Sequence, residues 1–145
     1  MKINKTKSLV KLVLLGALTL ISSCKKEMSD NNILLQEWQG PYGGVPAFDK
    51  MDIKDIQAAV EKGMELNLAE IEAIANSTKE ATFENTIEAM ERSGTELDRV
   101  FSYYGIMSSN VSSPEFREIQ SNLAPKLSVF SSNISQNKAL FNRIK

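Results

Sequence analysis

The sequence predicts an all-α protein. Three observations carry that expectation. Apolar residues recur at steps of three and four through residues 53–75, 83–104 and 116–134. Capping residues stand at the starts of those stretches. No alternating run of β-branched residues bounded by turns competes with them. The chain has 145 residues, 42% hydrophobic and 24% charged, which suits one globular domain or part of a larger one.

Residues 1–23 are expected to be a targeting segment. Lys2, Lys5, Lys7 and Lys11 form a basic start, Leu12 to Ile21 an apolar run, and Ser22 and Ser23 a small-residue end. As a helix that run would reach roughly 15 Å, against a hydrocarbon core of about 30 Å, so a permanent membrane span is not expected. Leu20-Ile21-Ser22-Ser23-Cys24 resembles a bacterial lipobox, in which the cysteine becomes the first mature residue and carries lipid. Cys24, the lone cysteine, has no partner for an intrachain disulfide. A polar tether over residues 24–32 follows. Loss of residues 1–23 removes four of 17 basic residues and no acidic ones. That leaves 13 basic against 18 acidic residues, a net charge of −5. No basic patch remains, which speaks against a nucleic-acid partner.

Residues 33–51 are expected to be irregular, because Gly40-Pro41-Tyr42-Gly43-Gly44-Val45-Pro46 is too rich in glycine and proline for a helix. No Gly-Lys-Ser/Thr follows, so a phosphate-binding loop is not indicated. Leu34, Leu35, Trp38 and Phe48 should pin this segment onto a helical body over residues 52–145.

The first helix should run from Ile53 to Asn76, capped by Asp52, with Ile53, Ile56, Val60, Met64, Leu68, Ile71 and Ala75 as its apolar face. Glu61, Glu65, Glu70 and Glu72 lie mostly off that face and read as solvated. The second helix should start at Thr82, a good N-cap. Its seam is Phe83, Ile87, Met90, Gly94, Leu97, Phe101 and Tyr104. Gly94 on that seam indicates either a close helix contact or a break. The third helix opens at Ser113-Pro114, serine as cap and proline at the first position, with Pro125 expected to kink or break it. A fourth starts near Asn137. Leu140, Phe141 and Ile144 continue its apolar pattern to Lys145 without a glycine stop, so the helical region is expected to be truncated at its C-terminal end.

Composition excludes most catalysis within this segment. There is no histidine and one cysteine, hence no imidazole base, no Ser/His or Cys/His pair and no two-histidine metal site.

A longer pattern emerges from several blocks together. Pro41-Tyr42-Gly43-Gly44-Val45-Pro46-Ala47-Phe48-Asp49-Lys50-Met51 comes first, then Ala59-Val60-Glu61-Lys62-Gly63-Met64 and Glu70-Ile71-Glu72-Ala73-Ile74-Ala75-Asn76. Thr82-Phe83-Glu84-Asn85-Thr86-Ile87-Glu88-Ala89-Met90-Glu91-Arg92-Ser93-Gly94 is the most telling. These resemble the N-terminal region of the zinc metallopeptidases that include thimet oligopeptidase, oligopeptidase A and peptidyl-dipeptidase (dipeptidyl carboxypeptidase). The resemblance covers roughly residues 33–145.

It implies antiparallel helices of the N-terminal lobe of a larger, nearly all-helical two-lobed peptidase, walling a peptide channel. The family's zinc sits on a His-Glu-x-x-His helix with a further glutamate, the first glutamate activating the zinc-bound water. No position here matches those residues. The resemblance therefore assigns no catalytic and no metal residue to this segment, and places zinc in a missing C-terminal catalytic region. Thr82, Phe83, Glu84, Asn85, Thr86 and Gly94 are carried over as motif residues of structural role. Implied partners are that missing region, oligopeptide substrates and, through Cys24, a membrane surface. The implied location is the bacterial cell envelope, on the periplasmic side or outer membrane. The competing expectation is a complete small helical surface lipoprotein that binds a partner without catalysis.

Overall fold

The computed structural model describes residues 32–41 and 43–145. The expected signal (1–23), Cys24 and the tether up to residue 31 lie outside the described residues. A 3-10 turn spans Ile33–Leu35, and α1 spans Asp55–Ala75. A π-helical turn, Glu84–Glu88, runs directly into α2, Ala89–Arg92. Then come α3 (Thr95–Asn110), α4 (Pro114–Ser135) and α5 (Lys138–Ile144). Among the described residues there is no strand, only an isolated bridge between Gln39 and Val45, and no helix long and apolar enough to cross a membrane.

Helix α1 is the hub and touches every other described element. Its start differs from the expectation. Asp52 Oδ1 accepts from the Lys54 N–H at 3.0 Å, and Asp52 O from the Asp55 N–H at 3.0 Å. Asp52 thus closes a tight turn ahead of the helix, and α1 begins at Asp55 rather than Ile53. Its buried face is broader than the apolar stripe. Ile56, Val60, Met64, Ile71 and Ala75 are joined by Ala59, Gly63 and Asn67. This second row of small and polar residues lets α3 approach closely. A Cβ on Gly63 would stand 3.0 Å from Leu97 Cα.

The contacts fix helix directions. Gly63 meets Leu97 and Asn67 meets Gly94, so α1 and α3 run antiparallel. Against α4 the pairing is parallel: Gln57 bonds Asn122 and Glu61 bonds Lys126, and just past the end of α4 Glu72 bonds Asn137. Each of these pairs is separated by 65 residues in sequence.

The main core joins Leu34 of the lead-in, Ile56, Ala59, Val60 and Met64 of α1, Leu97, Val100, Tyr103 and Met107 of α3, and Phe116, Ile119 and Leu123 of α4. Each large side chain fully buried there contributes about 1.5–3 kcal/mol relative to exposure. A second cluster of Ile71, Ala75 and Leu140 seats α5 on the end of α1.

Two expectations about α3 and α4 need correction. The buried line of α3 is Leu97, Val100, Tyr103 and Met107, whereas Phe101 and Tyr104 are half-buried. The lead-in segment covers the Tyr103 side and draws burial round the helix. Phe48 packs on the Tyr103 ring at 5.0 Å, Trp38 meets it edge-on at 6.5 Å, and the Tyr103 hydroxyl accepts from the Ala47 N–H at 2.8 Å. Pro125 does not break α4, which stays helical from Pro114 to Ser135. Proline removes one backbone donor, but α4 is held by Leu123 before it and by Leu127 and Phe130 after it. The cap at Ser113 forms as expected, accepting from the Phe116 N–H at 3.0 Å, and the helix expected to start near Asn137 does so, with Asn137 accepting from the Leu140 N–H at 3.0 Å.

Candidate functional site: the Thr82–Gly94 junction

The expected second helix is two pieces, and its irregularities coincide with the Thr82–Gly94 motif. At the start, Thr82 Oγ1 accepts from the Asn85 N–H at 3.2 Å while Asn85 Oδ1 accepts from the Thr82 N–H at 3.0 Å. This is a reciprocal capping box with asparagine in the place of the usual glutamate or glutamine. The helix it opens is a π-turn, a form that relaxes hydrogen-bond register within a helix.

Asn85 is the centre of the junction. Its Oδ1 also accepts from the Thr86 hydroxyl at 3.0 Å and from Arg143 Nη2 at 2.7 Å, and its Nδ2 donates to Glu80 O at 2.9 Å. Thr86 is 2% exposed. Arg143 Nη1 donates to Ser77 O and Lys79 O at 3.1 and 3.0 Å. One guanidinium thus ties α5 to both the loop and the motif. Glu84 is exposed. Its own backbone N–H and the Thr82 hydroxyl hold its carboxyl below the ordinary value, with burial opposing slightly. Phe83 is 67% exposed.

At the far end, Gly94 has φ +81°, in the left-handed region. Its N–H donates to Glu70 Oε2 at 2.7 Å. Behind it Asn67, 8% exposed, donates through Nδ2 to Ser93 Oγ at 3.2 Å, and Ser93 Oγ donates to Met90 O at 2.7 Å. Gly94 is therefore the break, not merely a contact. Glu70 and Glu72 are exposed, as expected, and Glu61 is half-buried, yet all three also make bonds: Glu70 binds Gly94, Glu72 binds Asn76 and Asn137, and Glu61 accepts from Gln57 and Lys126.

The junction has the chemistry of a structural node. Most of its polar atoms are occupied by one another and by backbone, while Arg143 Nε is buried without a hydrogen-bond partner. Among the described residues no three Cys, His, Asp or Glu gather closely enough to hold a metal ion. Clefts adjoin the chain's irregular parts. One, of about 280 Å³, lies between the motif and α5, lined by Thr82, Phe83, Thr86, Ile87, Arg143 and Ile144 among others. A wider one, of about 480 Å³, lies along the lead-in, with Trp38, Val45, Asp49, Lys50 and Tyr103 in its walls.

Thr82, Phe83, Glu84, Asn85 and Thr86 thus lie together with Arg143, while Gly94 stands at the other end of the same short segment. The role of Arg143 was invisible in sequence, because it acts on Asn85 across 58 residues. The burial of Asn67 and the bond from Gly94 to Glu70 were missed for the same reason.

No protein-family model matches the chain. Curated relatives do. A dipeptidyl carboxypeptidase of Salmonella typhimurium is 33% identical over 113 residues, covering 78% of this chain and 16% of that protein. A dipeptidyl carboxypeptidase of Escherichia coli is 32% identical over 117 residues, covering 81% of this chain and 17% of that protein. The chain thus spans only a small part of the length of the curated relatives it matches.

Proposed function

We propose, from the premise that this chain belongs to the peptidyl-dipeptidase (dipeptidyl carboxypeptidase) family, that it is an N-terminal part of an exported zinc metallopeptidase. That enzyme would release dipeptides from the C-termini of short peptides, and this part would form helices in the wall of its channel. The observation that carries the reading is the shared sequence with two dipeptidyl carboxypeptidases over about four-fifths of the chain.

The zinc has no home among the described residues. The chain holds no histidine, and the described carboxylates do not converge. Its ligands and the water-activating glutamate would belong to a region outside these 145 residues, and no step of hydrolysis is assigned to a side chain here. What these residues supply is shape: a hub helix, a parallel α1/α4 pair and a rigid junction at Thr82–Gly94.

Anchoring rests on the lipobox-like run ending at Cys24. Two or more acyl chains would hold the protein firmly to a membrane, where one would be marginal. Cys24→Ser should move the protein from the membrane fraction to the soluble fraction; unchanged partition would remove the anchor from the proposal.

The decisive experiment is to read the source gene past the codon for Lys145 and express the whole product. A frame continuing to a His-Glu-x-x-His motif, with peptidase activity lost to a chelator and restored by zinc, is the expected result. A stop codon at that point would discard the peptidase reading and leave the surface lipoprotein that binds a partner.

A further inference from the structure

Exposed large apolar side chains are scattered over most of this surface, with Ile106 and Val111 near the end of α3 and Val129 on α4. Isolated ones need no explanation. At the Thr82–Gly94 junction they converge. Phe83, 67% exposed, and Ile144, 46% exposed, face the same 280 Å³ cleft, with Ile87 in its wall. Phe141, 65% exposed, precedes Ile144 by three residues and so stands one turn along the same side of α5.

Helix α5 is apolar on two sides. Leu140 is buried against Ile71 and Ala75, while Phe141 and Ile144 remain uncovered. The cleft floor is also rigid. Asn85 takes three donors on one oxygen, and Arg143 clamps the loop beside it. A surface held in place before its partner arrives loses little freedom on docking.

Resting on the peptidase reading above, we infer that Phe83, Ile87 and Ile144 form the docking face for an apolar helix of the same polypeptide, lying beyond residue 145. The matched relatives supply the reason to expect such an occupant: this chain spans 16% and 17% of them, leaving a large partner region in each. One large apolar side chain of that helix enters the cleft between Phe83 and Ile144. Arg143 serves as a positioning residue, holding α5 and the motif at the spacing the cleft requires.

The test uses the full-length product of the gene. The photo-crosslinking amino acid p-benzoylphenylalanine is placed at position 83, in a second variant at position 144, and in a control at position 106. Position 83 is exposed, so folding should tolerate the change, and peptidase activity reports that it does. The expected result is an intramolecular cross-link from 83 and from 144 to one segment beyond residue 145, with yield several-fold above that from 106. An active peptidase whose cross-links are absent, stay within residues 32–145 or reach a separate molecule would overturn the docking face and leave the peptidase reading standing. A gene product with no region beyond residue 145 would overturn both.

Discussion

Arg143 Nη2 donates to Asn85 Oδ1 at 2.7 Å, joining the last helix of the described chain to the motif 58 residues before it. The same guanidinium reaches the carbonyls of Ser77 and Lys79, so one side chain closes loop, motif and α5 into a single unit. The bond is charge-assisted and partly buried, a setting in which a hydrogen bond is worth more than on an open surface.

Asn85→Ala and Arg143→Ala should each lower the free energy of unfolding by about 1–3 kcal/mol, since each strands several polar partners. Because the two act through one contact, the double variant should lose about 0.5–2 kcal/mol less than the sum. Urea titration of the four proteins checks this; strict additivity would mean the contact is not made in solution.

Gly94→Ala should cost about 1–2 kcal/mol from the left-handed backbone alone. The added Cβ would also sit 2.9 Å from Asn67 Nδ2. Gly94→Asn should lose less than Gly94→Val, because asparagine tolerates this region and a β-branched residue does not. Thermal midpoints of the three variants supply the ranking.

Tyr103→Phe should cost about 1 kcal/mol by taking the acceptor from the Ala47 N–H. The effect should be local. Trp38 is the single tryptophan and lies edge-on to Tyr103, so its emission should shift to the red as the lead-in loosens. Unchanged emission with a lowered midpoint would place the loss elsewhere.

Pro125→Ala should stabilise the protein by about 1–3 kcal/mol, returning a backbone donor to a helix that is already continuous. Chemical denaturation measures it. A loss of stability would show that the proline shapes α4 in a way the packing needs.

Burial pushes the Glu61 carboxyl upward, but hydrogen bonds from Lys126 and Gln57, with the Lys126 charge, hold it below the ordinary 4.5. The folded value lies below the unfolded one. Its contribution is therefore present above the unfolded value and lost as pH falls through the folded value. Being a largely solvent-screened pair, it should amount to only about 0.5 kcal/mol. Glu61→Gln and Lys126→Met should each flatten the fall in stability below pH 4.5, measured by urea midpoints across that range.

The sequence by itself determined the all-α class, the caps at Thr82 and Ser113, the helix start near Asn137, and the irregular lead-in. These depend on neighbours within a few residues, and local spacing reports them directly. Tertiary structure alone decided the rest. The sequence allowed Gly94 to be a contact or a break, and Asn67, Glu70 and Ser93 made it a break by supplying polar partners there. The row Ala59–Gly63–Asn67 carries no apolar signal, so its burial under α3 could be known only once Leu97 lay against it. Tyr103 replaced Tyr104 in the buried line because the lead-in folds back over that side of α3. Helical period records which residues share a face; which faces meet depends on contacts between residues far apart in the chain, and those are set only by packing.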